Sequence, residues 1–92
     1  MKNKLCWHPL AWEDYLYWQA NDKKMLAKIN TIIKAIDREP FTGIAKPEPL
    51  KHVLQGFWSR RINKEHRIVY SVKDKTLTVL SCRYHYSEPR KK

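Results

Sequence analysis

One carboxylate, one imidazole and a group of fixed cations crowd the second half of the chain. Glu48 and Lys51 sit in Lys46-Pro47-Glu48-Pro49-Leu50-Lys51-His52, and Arg60 and Arg61 follow the aromatic pair Phe57-Trp58. Arg67 opens the apolar run Ile68-Val69-Tyr70, and His85 and Tyr86 close Cys82-Arg83-Tyr84-His85-Tyr86. These residue types suffice to cut RNA without a metal. A base removes the ribose 2′-hydroxyl proton and an acid protonates the leaving oxygen. Cations hold the phosphate as its charge builds. Because the internal nucleophile is the 2′-hydroxyl, this chemistry fits RNA and not DNA. The sequence offers no rival motif: it has no Gly-x-Ser-x-Gly, no Gly-rich phosphate loop and no paired acid cluster for metals.

Each of these residues also has a plain structural reading. Arg61 and Arg67 are expected on consecutive strands across a short turn, where they can share a face. Two guanidinium groups brought together call for an anion between them, and phosphate suits their forked donors. The alternative is that each arginine pairs with a local acid, Glu65 being within reach; Arg60 would point to the opposite face. His85, at the end of the last strand, carries a ring suited to proton transfer near neutral pH. Tyr84 and Tyr86 offer flat rings for stacking on unpaired bases. The alternative is a surface histidine between two structural tyrosines. Pro47 and Pro49 bias the backbone around Glu48 toward extended conformations. That stiffening serves a catalytic base, although an ordinary surface glutamate can stand there too.

The elements that must position these residues can be traced along the chain. At 92 residues the length suits one domain, expected over 1–86, with a polar, basic tail at 87–92. Leu5-Cys6-Trp7 reads as a short strand ended by His8-Pro9. Pro9 suits the first turn of a helix running to about Gln19, with Trp12, Tyr15, Leu16 and Gln19 on one side. Tyr17 and Trp18 fall outside that stripe and hint at a second buried surface, either core or protein interface. Asn21-Asp22 offers an N-cap to a second helix whose apolar stripe is Met25, Leu26, Ile29, Ile32, Ile33 and Ile36. Pro40 and Gly43 end it. The loop from Glu39 to Leu50 is long for so small a domain, and such loops are often functional or mobile. Beyond Gly56 the pattern turns to strands: Phe57–Ile62, His66–Val72 and Thr76–Tyr84, with turns at Asn63-Lys64-Glu65 and Lys73-Asp74-Lys75. In the middle strand Ile68, Tyr70 and Val72 should share one face, and Arg67, Val69 and Ser71 the other. The fold class is therefore α+β, two helices covering one face of an antiparallel meander.

Composition narrows the partners. Lys plus Arg number 19 against 9 Asp plus Glu, a formal net charge of +10 spread through the chain. A domain this basic is suited to polyanions. Cys6 and Cys82 fall in apolar runs and are expected to be buried free thiols, the usual state in a reducing cytoplasm. Neither they nor the scattered histidines match a zinc site, and no cofactor is expected. The first apolar run is too short for a signal peptide, and none approaches the length that spans a bilayer. A cytoplasmic protein without membrane contact is expected.

Taken together, Asp14-Tyr15-Leu16-Tyr17-Trp18-Gln19, Lys46 to His52, Gly56 to Ile62, Glu65 to Tyr70 and Cys82 to Tyr86 resemble the YoeB/Txe toxins of bacterial toxin–antitoxin pairs, within the RelE-like superfamily. The resemblance runs from Leu5 to Tyr86. It implies two helices on a twisted, mainly antiparallel sheet and a ribosome-dependent endoribonuclease that cuts mRNA in the decoding site. It implies a cognate YefM/Axe-like antitoxin whose C-terminal segment masks the active site, contact with DNA only through that antitoxin, and an association with toxin homodimers. By family motif, Glu48 is the general base, His85 the general acid, and Arg67 the stabiliser of the transition state. Lys51 and Arg61 hold the phosphate, Tyr86 orients substrate, and the products carry 2′,3′-cyclic phosphate (or its hydrolysed form) and 5′-hydroxyl ends. One reading competes with catalysis, a basic RNA- or ribosome-binding module that blocks translation by occupancy; another, a corepressor bound to a DNA-binding antitoxin, can coexist with it. The chain departs from the family pattern at His8-Pro9-Leu10, where the approach to the first helix is normally more acidic, and in the residues after Tyr86.

Overall fold

The computed structural model describes residues 1–85. The elements run β1 (Lys4–Trp7), α1 (Pro9–Asn21), α2 (Lys23–Arg38), β2 (Glu48–Pro49), β3 (Trp58–Arg61), β4 (Arg67–Lys73) and β5 (Thr76–Ser81), with one 3-10 turn at His52–Leu54. The five strands form one sheet in the order β1-β5-β4-β3-β2. β2 through β5 pair antiparallel, and β1 joins β5 in parallel. The expected meander is present, with a parallel strand added at one edge. Asp74 and Lys75 both take positive φ, 51° and 58°, in the turn that closes the β4–β5 hairpin, as a two-residue turn matched to strand twist requires.

α2 forms as its sequence dictates. Asp22 caps it, its carboxylate accepting from the N–H groups of Lys24 and Met25, both at 3.1 Å. Ile29, Ile32, Ile33 and Ile36 are buried along one stripe, each contributing about 1.5–3 kcal/mol relative to exposure. They meet Ile68, Tyr70, Leu77 and Val79 of the sheet in one core. At its far end Asp37 ties the N-terminus down: its carboxylate accepts from the backbone N–H of Lys2 at 2.8 Å and of Asn3 at 2.9 Å. The N–H of Lys2, then that of Asn3, holds the Asp37 carboxyl below the usual carboxylate range, against an opposing push from burial.

α1 corrects the sequence reading. It extends to Asn21, and the side it buries is Ala11, Asp14 and Trp18. The expected stripe of Trp12, Tyr15, Leu16 and Gln19 is not the core face: Trp12 and Leu16 are 46% and 40% exposed. Trp12 and Tyr15 instead stack on each other at 5.9 Å beside Trp7. Counting aromatic residues misled because the inward side carries one alanine and one aspartate. His8 caps the helix, Nδ1 accepting from the Leu10 N–H at 3.2 Å.

Two further expectations change. Cys82 is buried but Cys6 is exposed, because Leu5 and Trp7 take the inward positions of β1 opposite Leu77 and Val79. β5 ends at Ser81, so Cys82–His85 is not a strand; the groups that replace its ladder bonds are described below.

Candidate active site

Glu48 is exposed and lies in β2, paired with Ser59 of β3. The proline-flanked segment is extended, as its composition requires. Lys51 follows at the start of the 3-10 turn, and an open groove of about 430 Å³ runs along residues 48–54, lined by both side chains. The loop leading to β2 is not loose. Arg60 is fully buried and donates to the carbonyl oxygens of Glu39 (2.6 Å), Thr42 (2.9 Å) and Ile44 (3.3 Å). Its Nε donates to the Tyr70 hydroxyl, which donates in turn to the Pro40 carbonyl at 2.6 Å. A cation at the carbonyl end of α2 is favoured by the helix dipole. Burial raises the Tyr70 phenol above its usual range, opposed by Arg60. Arg60 is thus the structural arginine, on the face opposite Arg61, as expected.

Arg61 and Arg67 stand directly opposite each other in the β3–β4 register. Residues paired across strands share a face, as do residues two apart along one strand. Glu48, Ser59, Arg61, Arg67 and Val69 therefore lie on one side of three successive strands, opposite the helices. Glu48 is one strand and two residues from Arg61, a diagonal of about 7–8 Å. Arg61 is exposed and Arg67 is 8% exposed. Neither pairs with Glu65, which contacts His66 at 3.6 Å instead. Arg67 Nη1 donates to the carbonyls of Asn63 (2.9 Å), His66 (3.2 Å) and Lys64 (3.3 Å). Among the described residues no acceptor meets its Nε or Nη2. A forked cation fixed by one arm, with donors to spare, is suited to an oxyanion.

The backbone reaches His85 by a route the sequence reading missed. After β5 the Cys82 N–H donates to Asp14 Oδ2 at 3.0 Å, and Trp18 Nε1 donates to the Cys82 carbonyl at 2.8 Å. The Tyr84 N–H then donates to His66 Nδ1 at 2.8 Å, and the Arg67 N–H donates to the Tyr84 carbonyl at 3.0 Å. Side chains of α1 and the β4 approach replace the strand ladder, and Tyr84 takes a left-handed φ of 67°. His85 is thereby attached one peptide beyond the backbone partner of Arg67. The Tyr84 ring lies under the Arg83 guanidinium, 4.6 Å away, and 5.9 Å from the His66 ring. Tyr86 lies outside the described residues. Asp14, Trp18 and His66 were not among the expected site residues. The available signal was an acid and a tryptophan spaced four apart on a helix face otherwise occupied by alanine.

The geometry thus gathers a carboxylate and two arginines on one sheet face, with Lys51 beside Glu48 in the groove and His85 following the residue whose carbonyl accepts from the Arg67 N–H. A family model for the YoeB-like toxin of bacterial type II toxin–antitoxin systems matches residues 7–86. The chain belongs to this family. A relative, Toxin YoeB of Synechocystis sp., is 59% identical over 83 residues, covering 90% of this chain and 96% of its own. The structure of a YoeB dimer from Staphylococcus aureus matches with a TM-score of 0.88 and 52% identity, covering 94% of this chain and 100% of its own. A heterotetrameric YoeB–YefM toxin–antitoxin complex from the same organism matches with a TM-score of 0.85 and 52% identity, again over 94% and 100%. The YoeB-like fold is the one described above, an α+β arrangement of two helices on a five-stranded mixed sheet. Among the described residues of this YoeB-like chain, no helix is long and apolar enough to cross a membrane.

Proposed function

We propose that this YoeB-like toxin is an endoribonuclease that cleaves mRNA in the ribosomal A site and so stops translation in the cytoplasm. Glu48 accepts the proton of a ribose 2′-hydroxyl, and the freed oxygen attacks the adjacent phosphorus. Negative charge grows on the non-bridging oxygens, where Arg67 donates, while Lys51 and Arg61 neutralise the phosphate. The bond to the 5′-oxygen breaks as His85 protonates it. The products are a 2′,3′-cyclic phosphate and a 5′-hydroxyl. Tyr86 orients the substrate, and Tyr84 flanks the site. The observation that carries this reading is the shared face of Glu48, Arg61 and Arg67 on consecutive strands, with the Tyr84 carbonyl bonded to Arg67 next to His85.

The relatives' assemblies extend the proposal to partners: a YefM-like antitoxin that holds the toxin inactive, and a homodimer of the toxin. Mapping RNA ends on translating ribosomes tests the activity. Wild type should produce new 5′-hydroxyl ends, and Glu48→Ala and His85→Ala should each abolish them while ribosome binding persists. If the variant carrying both Glu48→Ala and His85→Ala still arrests translation without cleavage, the chain acts by occupying the ribosome and the nuclease reading is wrong.

A further inference from the structure

The backbone from Cys82 to Tyr84 is held by three side chains that belong to no proposed catalytic set. Asp14 and Trp18 grip the two polar groups of one peptide residue, Cys82, from α1. His66 Nδ1 grips the Tyr84 N–H from the approach to β4. All three are nearly buried, at 2%, 6% and 8% exposure for Asp14, Trp18 and His66, and the His66 ring packs edge-on against Trp18 at 4.8 Å. The chain therefore leaves the sheet along a track cut by side chains. It turns at Tyr84 through a left-handed φ of 67°, which an L-residue adopts only where its surroundings impose it. The residue after that turn is His85.

We propose that Asp14, Trp18 and His66 are positioning residues that set where the His85 imidazole meets the scissile phosphate. This rests on the reading of His85 as the general acid. In that geometry the His66 acceptor does the directing. Without it the Tyr84 N–H loses its acceptor while the carbonyl stays on the Arg67 N–H, the peptide before Tyr84 rotates toward an ordinary φ, and the imidazole shifts relative to Arg67. A displacement of about 1 Å at a reacting group can cost about a hundredfold in rate, so the effect falls on the chemical step.

Two substitutions separate direction from packing. His66→Phe keeps a ring against Trp18 but removes the acceptor. His66→Asn discards the ring but keeps an oxygen where Nδ1 stood. Single-turnover cleavage on programmed ribosomes at saturating toxin gives the rate, and a binding titration gives ribosome affinity. Amide hydrogen exchange at Tyr84 in the free toxin reads the hydrogen bond directly. His66→Phe should cut about a hundredfold more slowly, with ribosome affinity unchanged and Tyr84 protection lost. His66→Asn should restore most of the rate and the protection. Trp18→Phe, which removes the donor to Cys82, should slow cleavage in the same direction. Wild-type cleavage by His66→Phe, or recovery that follows ring packing and not the acceptor, would overturn the proposal. So would Tyr84 protection that His66→Phe leaves unchanged. If wild type itself does not cleave, the functional reading fails on that arm alone, while the exchange arm still decides whether His66 directs the segment.

Discussion

Arg60, Arg61 and Arg67 are three guanidinium groups in one eight-residue stretch, and their surroundings give them different work. Arg60 uses its donors on loop carbonyls and a tyrosine hydroxyl. Arg67 fixes one nitrogen on the turn at 63–66, and Arg61 lies opposite it, exposed. Charge alone does not distinguish them; strand parity does, and parity was readable from the sequence. Arg67→Ala should slow single-turnover cleavage by two to three orders of magnitude, about 3–4 kcal/mol for one lost transition-state donor. Ribosome affinity should fall much less. Arg67→Lys should recover only part of the rate, since an ammonium replaces a planar fork with a point charge. A defect confined to affinity would remove Arg67 from the chemistry.

Elements differ in how far their sequence announces them. α2 was legible because its isoleucines recur at helical spacing and its cap precedes them. The turn residues likewise marked the meander. α1 was not, because Trp12 and Tyr17 lie outward while a buried aspartate shares the inward side with Ala11 and Trp18. That aspartate is satisfied by a backbone amide 68 residues away, a partner no local pattern can supply. The same long-range bonds ended β5 early and moved His85 off the sheet. The 39–50 loop read as long and so functional or mobile, yet Arg60 binds it at three carbonyls. Arg60→Met should therefore lower stability by about 3 kcal/mol, because the loop carbonyls and the Tyr70 hydroxyl lose a charged donor. Urea unfolding measures this, and an unchanged midpoint would show the clamp to be ornamental. Asp37 joins the end of α2 to the N-terminus, and its carboxyl is held below the usual range. A lowered folded value means the unfolded chain takes up the proton first as pH falls. The stabilisation is complete above the unfolded value near 3.9 and disappears as pH drops through the lower folded one. Asp37→Asn should flatten that acid limb of the stability curve while leaving cleavage at neutral pH intact. An unaltered acid limb would show that the tether carries no pH-linked stability.

For the whole molecule, a net charge of +10 draws the toxin to any polyanion, so attraction alone does not reveal which side binds. The layered fold separates the possibilities. The helices cover one face of the sheet, and Glu48, Arg61 and Arg67 occupy the other. Lys34 is exposed on α2, on the helical side. Long-range steering should treat Lys34 and Arg61 alike, because both add to the overall field. Direct phosphate contact should not, since each neutralised phosphate releases counterions and steepens the fall of affinity with salt. Ribosome affinity measured across a salt series should show a steep slope for wild type. Arg61→Ala should reduce it by about 0.7–0.9, the value of one phosphate contact. Lys34→Ala should leave the slope unchanged and lower affinity only slightly at the lowest salt. Equal changes in slope for the two variants would mean that RNA meets both faces, and a flat response in wild type would remove phosphate contact as the source of binding. The experiment thus tests whether one side of the sheet faces the nucleic acid without requiring that any bond be cut.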